Sequence, residues 1–156
     1  MGIRRATVAD IPVLNQLLQE ILLVHHEARP DIFRPTGQKF SSSNLEERMS
    51  NPETPVFVYE VDGQVLAHLF CQISVVDSPV LEPNKTLFIE DLCVTKAARG
   101  QQIGKKLYDF AVDLAKTEGC HNLTLDVWDD NLGAKSFYER QGLKNQKTRM
   151  ELRLDK

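Results

Sequence analysis

Between Thr86 and Val127 the apolar period changes from that of a strand to that of a helix and back again. Thr86–Val94 is apolar on both faces except at Glu90-Asp91, the pattern of a strand inside a sheet. In Arg99–Glu118, Ile103, Leu107, Phe110, Ala111, Leu114 and Ala115 trace one helical stripe, and Gly119 supplies a stop. Leu123–Val127 is again a buried type of strand. A strand, a helix and a strand of these lengths form a β-α-β unit, so the two strands should be parallel with a right-handed crossover. Few folds accommodate that unit beside hairpins.

The flanking segments supply hairpins and helices. Ile3–Ala6 is expected as a short first strand. Thr7 can cap a following helix, with an acid three residues on at Asp10, and Leu14, Leu17, Leu18, Ile21 and Leu22 form its apolar stripe. That helix should fade near His25-His26, where the two imidazoles suit its negative end. Arg29–Ser43 reads as a loop, and Asn44–Met49 as a short helix closed by the two prolines of Asn51–Pro55. Val56–Val61 and Gln64–Val76 should pair across an Asp62-Gly63 turn. Asn131–Gln141 is expected as a last helix, and Leu143–Leu154 as one or two final strands. The expected fold is mixed α/β: a mainly antiparallel sheet, a central parallel β-α-β unit, and helices on both faces.

Composition removes several classes of function. The 156 residues suit one domain, and a hydrophobic fraction of 42% is enough for a core. A net charge of −3 argues against a nucleic-acid partner. Cys71, Cys93 and Cys120 form no CxxC pair, so neither a metal site nor a disulfide framework is suggested. Free thiols fit a reducing cytoplasm. No secretory leader and no apolar run long enough for a bilayer is recognised, so no membrane partner is expected.

Chemistry concentrates in two stretches. Arg99-Gly100-Gln101-Gln102-Ile103-Gly104-Lys105-Lys106 joins a buried strand to a helix. Its glycines permit a tight turn, and the first helical turn offers unbonded N–H groups at the positive end of the dipole. That is an anion site suited to a pyrophosphate, with Arg99, Lys105 and Lys106 adding charge. GxGxxG is absent, and the stretch is one residue short of a P-loop and lacks its hydroxyl. The second stretch runs from Trp128 to Leu143 and includes Asn131, Ala134, Tyr138 and Gly142.

Together these stretches resemble the GNAT acetyltransferase superfamily. The first is similar to its Gln/Arg-x-x-Gly-x-Gly/Ala pyrophosphate loop, with Gln102 where the family has its middle glycine. The second is similar to its Asn-x-x-Ala-x-x-x-Tyr-x-x-x-Gly segment. Ile89–Val94 resembles the central strand of many members. The resemblance covers nearly the whole chain, taken as one domain over 1–156, and implies an acyl-CoA N-acyltransferase fold with acetyl-CoA as co-substrate. It implies that pantetheine pairs with the backbone of Leu92, Cys93 and Val94. It also implies that Arg99, Gly100, Gln101, Gln102, Ile103, Gly104 and Lys105 hold the pyrophosphate.

By the same resemblance Asn131 and Ala134 belong to the CoA segment, Asn131 serving as cap, CoA contact or both. Tyr138 is the general acid and Glu90 the base. Asp91 is the rival base, but strict alternation puts it on the opposite face from Glu90. His68 is a further candidate base, and His25 and His26 could line an acceptor pocket. Cys93 and Trp128 are expected to pack. The partner implied is a small-molecule amine or a protein amine, chosen with help from Arg29–Ser43, and a homodimer is compatible with this reading. The same motifs would serve a catalytically silent CoA-binding sensor or scaffold, against which Tyr138 and Glu90 argue.

Overall fold

A computed structural model describes residues 2–155. The chain divides into two compact units, Met1–Asp126 and Val127–Lys156. The first contains all of the sheet: β1 (Gly2–Arg5), β2 (Val56–Val61), β3 (Gln64–Val75), β4 (Lys85–Val94) and β5 (Asn122–Leu125). Their order is β1-β2-β3-β4-β5, antiparallel throughout except for the parallel pair β4 and β5. Helices α1 (Ile11–Ala28), α2 (Ser42–Ser50) and α3 (Ile103–Thr117) also belong to this unit.

Local chemistry explains the joints. Asp10 reaches back to accept the Thr7 backbone N–H at 2.7 Å, and Arg4 donates to both of its oxygens at 2.8 and 3.0 Å. The helix start is thereby tied to β1, and Pro12 enters where a missing N–H does no harm. The β2–β3 turn takes positive φ at both Asp62 (51°) and Gly63 (77°), the primed geometry that matches strand twist.

Helices pack on both faces of the sheet, as alternation along β2 demonstrates. Val56 and Val58, with Phe70 of β3, enclose Leu14 and Leu18 of α1 and Leu45 of α2. The intervening Phe57 meets Phe110 of α3 edge-on at 4.7 Å, and Tyr59 accepts a hydrogen bond from Lys106 of α3 at 3.3 Å. Successive side chains thus serve opposite layers. No helix among the described residues is long and apolar enough to cross a membrane.

In the second unit, α4 (Leu132–Arg140) is followed by residues with no strand pairing. The strand expected over Leu143–Leu154 does not form. The segment keeps a strand's alternation, with Met150, Leu152 and Leu154 exposed. A strand also needs a neighbour for its N–H and C=O groups, and its own unit offers one helix and no other strand. The parallel pair therefore ends the sheet rather than lying inside it.

Candidate active site

The site begins where two strands part. β4 and β5 are paired only from Thr86↔Asn122 to Ile89↔Leu125. β5 then stops, while β4 continues to Val94 and stays paired with β3 up to Val94↔Ala67. Among the described residues, the β5-facing edge of Glu90–Val94 has no strand partner. Leu92, Cys93 and Val94 lie on this edge. Apart from the Val94 carbonyl, which accepts from Arg99 Nε, its backbone groups can receive an extended chain as an added strand.

An irregular register in β4 coincides with the parting. Phe70 pairs with Asp91 and Cys71 with Ile89, which leaves Glu90 as the extra residue of a bulge. This corrects the placement of Asp91 opposite Glu90. The bulge cancels one step of alternation, and both acids reach the α1–α2 layer. Glu90 is paired with Arg48 of α2, whose guanidinium lies 4.9 Å from the Phe40 ring centre and 5.7 Å from that of Phe70. Asp91 meets His68 Nε2 at 3.3 Å and Lys39 Nζ at 3.4 Å. His68 is fully buried, and among the described residues its Nδ1 has no hydrogen-bond partner. Burial pushes the Asp91 carboxyl up, but the hydrogen bond from His68 and the nearby Lys39 outweigh it and hold the carboxyl below its usual range.

Downstream of β4 the chain turns into α3. Glu20 of α1 accepts from Thr95 Oγ1 at 2.8 Å and from the Lys96 N–H at 3.1 Å, pinning the turn. Gly100 has φ 86°, and Gln102 sits in the left-handed region at φ 65°, ψ 18°. No side chain caps the helix at Gln102. The N–H groups of its first turn therefore point outward without an intrahelical acceptor. The expected cations are partly engaged: Lys105 pairs with Asp109 at 2.9 Å, Lys106 reaches Tyr59, and Arg99 Nε donates to the Val94 carbonyl at 3.1 Å. An anion here would be held mainly by backbone N–H groups and the helix dipole.

The left-handed Gln102 gives a first prediction. A side chain in that region costs about 1–2 kcal/mol. Gln102→Gly should raise thermal stability by about 1 kcal/mol, less the added freedom of the unfolded chain. Chemical denaturation of the two proteins measures it, and a lower midpoint would mean that the Gln102 side chain stabilises the turn.

The comparisons bear on this arrangement. A sequence profile described as the Acetyltransferase (GNAT) family matches residues 18–143. The chain belongs to the GNAT acetyltransferase family. It is 26% identical over 146 residues to an uncharacterized N-acetyltransferase from the pepI 3′ region of Lactobacillus delbrueckii subsp. lactis, covering 87% of this chain and 84% of that one. A mutant of the BH1408 protein from Bacillus halodurans superposes with a TM-score of 0.94 at 30% identity, over 99% of both chains. The aminoglycoside N-acetyltransferase AAC(6')-Iy, solved in complex with CoA, shares the fold at a TM-score of 0.73 and 14% identity, over 97% of this chain and 98% of that one.

The remaining residues of this GNAT chain can be placed individually. In the second unit, Asn131 Oδ1 accepts the Ala134 N–H at 3.2 Å, so Asn131 caps α4. Tyr138 lies on the second turn of α4, its ring 5.0 Å from that of Phe137. Trp128 is 39% exposed, more open than a packing role implies. In the first unit, Cys93 is buried, its Sγ donates to the Leu17 carbonyl at 3.4 Å, and burial pushes the thiol up to about 12. Such a thiol is no nucleophile at neutral pH. His25 stacks on Phe33 at 4.8 Å, and burial pushes its imidazole below the usual value. His26 Nδ1 lies 2.7 Å from the Phe33 carbonyl. The two histidines thus hold the loop after α1 as well as ending the helix.

Reading the sequence missed Arg48 and Lys39. Each meets its acid across a long stretch of chain, 42 residues for Arg48–Glu90 and 52 for Lys39–Asp91. Nothing local in either segment signals such a pairing.

Proposed function

We propose that this GNAT enzyme transfers acetyl from acetyl-CoA directly to a primary amine within a ternary complex. The observation that carries the reading is the unpartnered β4 edge at Glu90–Val94, followed in the chain by the uncapped start of α3. The edge would take the pantetheine amides as an added strand. Gly100–Lys105 would take the pyrophosphate on backbone N–H groups. One long, amide-bearing anion fits both features.

The chemistry follows from the amine. A lysine-type amine has a pKa of about 10.4 and must lose a proton before it can attack. Glu90 and Asp91, on the face opposite α3, offer carboxylates for this task. Glu90 is assigned as the base, acting directly or through water, with Arg48 fixing its orientation. Attack makes the C–N bond and breaks the C–S bond, and Tyr138 protonates the departing thiolate. The acceptor is a small-molecule or protein amine, entering on the side of the α1–α2 loop.

Two measurements test the reading. Calorimetry should detect acetyl-CoA binding, and thiol release should rise with an amine from a panel of polyamines, amino acids, aminoglycosides and peptides. Binding without thiol release for any amine would favour a silent CoA-binding module. Glu90→Gln should lower kcat by about 10²-fold, the low end for a general base, because water can still accept the proton. The base must be ionised to work, so the acidic limb of the parent pH profile should flatten in the variant. A variant profile that keeps that limb would move the role to Asp91 and His68.

A further inference from the structure

Several lysines of the first unit and of α4 carry an ion pair, and one of them differs in kind. Lys105, Lys135 and Lys85 rest on Asp109, Asp129 and Glu118, whose side chains are 54%, 86% and 43% exposed. Such pairs are weakly held surface contacts. Lys39 instead reaches from the α1–α2 loop to Asp91, whose side chain is only 9% exposed and is backed by the fully buried His68. Lys39 also lies over the Phe40 ring, 5.5 Å from its centre. Its own side chain is 48% exposed, so the contact can open.

Asp91 directly precedes Leu92 on the unpartnered β4 edge. On the acetyl-CoA reading, the Lys39 ammonium, held at Asp91, lies beside the strand that would carry the thioester, on the side where an acceptor amine would enter. We propose that Lys39 is a self-acetylation site, modified by the enzyme's own acetyl-CoA when no other amine is present. This rests on the acetyl-CoA reading above. The ammonium first releases one proton to water beside Asp91. The Nζ lone pair then forms the C–N bond to the acetyl carbon, the C–S bond breaks, and the second proton goes to the CoA thiolate. Acetyl-Lys39 carries no charge, so Asp91 loses this cation and is left to His68 and to an incoming acceptor.

The test uses the full chain with acetyl-CoA alone. Intact mass should show one acetyl adduct, and peptide mapping should place it on Lys39. Preorganisation should make Lys39 react on the order of tenfold or more faster than Lys105 and Lys116 in the same digest. Lys39→Arg keeps a cation on Asp91 but cannot form the adduct, so the adduct should vanish while acetyl-CoA binding by calorimetry persists. An added acceptor amine should slow labelling. Unlabelled Lys39 in protein that binds acetyl-CoA by calorimetry would overturn the proposal and leave the acetyl-CoA reading standing. So would equal labelling of all exposed lysines, the mark of uncatalysed acetylation. Absence of binding heat would remove the acetyl-CoA reading and this proposal together.

Discussion

Tyr138→Phe is expected to lower kcat by about 10²–10⁴-fold, the usual contribution of a positioned general acid. The motif places a tyrosine seven residues after the helix-capping asparagine, and α4 carries Tyr138 on its second turn, capped by Asn131. Phenylalanine keeps the ring, its edge-on contact with Phe137 and its helical preference, and removes only the hydroxyl. Fold stability and acetyl-CoA affinity should therefore stay near those of the parent. A thiolate is a fairly good leaving group, which places the effect toward the lower half of the range. Full turnover in the variant, with chemistry rate-limiting, would mean that another group protonates the thiol. Loss of the folded state would assign the hydroxyl to structure.

Gly104→Leu is the second large expected effect, and it falls on affinity. Gly104 is the second residue of α3, in the turn with the outward N–H groups. Side chains on a helix lean toward its N-terminus, so a leucine here would lie over those groups. An anion would lose at least one charge-assisted hydrogen bond, about 1.5–3 kcal/mol, or roughly 10–100-fold in Kd. Leucine is a better helix former than glycine by about 1 kcal/mol, so thermal stability should not fall. Calorimetry with acetyl-CoA and a thermal melt separate the two effects. Unchanged affinity in a folded variant would place the pyrophosphate elsewhere.

Much of this protein was legible because the deciding interactions are local. The α1 stripe of Leu14, Leu17 and Leu18, the Thr7–Asp10 start, the Asp62-Gly63 turn and the Asn131 cap each involve residues a few positions apart. The strand–helix–strand period of Thr86–Val127 and the paired motifs at Arg99–Gly104 and Asn131–Gly142 led to the family for the same reason. Tertiary structure decided what depends on a distant neighbour. The bulge at Glu90 arises from the register of β4 against β3, and it alone turns Asp91 to the face that Glu90 occupies. The length of the open edge depends on where β5 stops. Residues 143–154 alternate like a strand yet form none, because alternation records a preference and a ladder requires a partner. The companions of the two acids, Arg48, Lys39 and His68, come from separate elements. Charges that far apart in the chain become neighbours only when the hydrophobic layers on both sides of the sheet have closed.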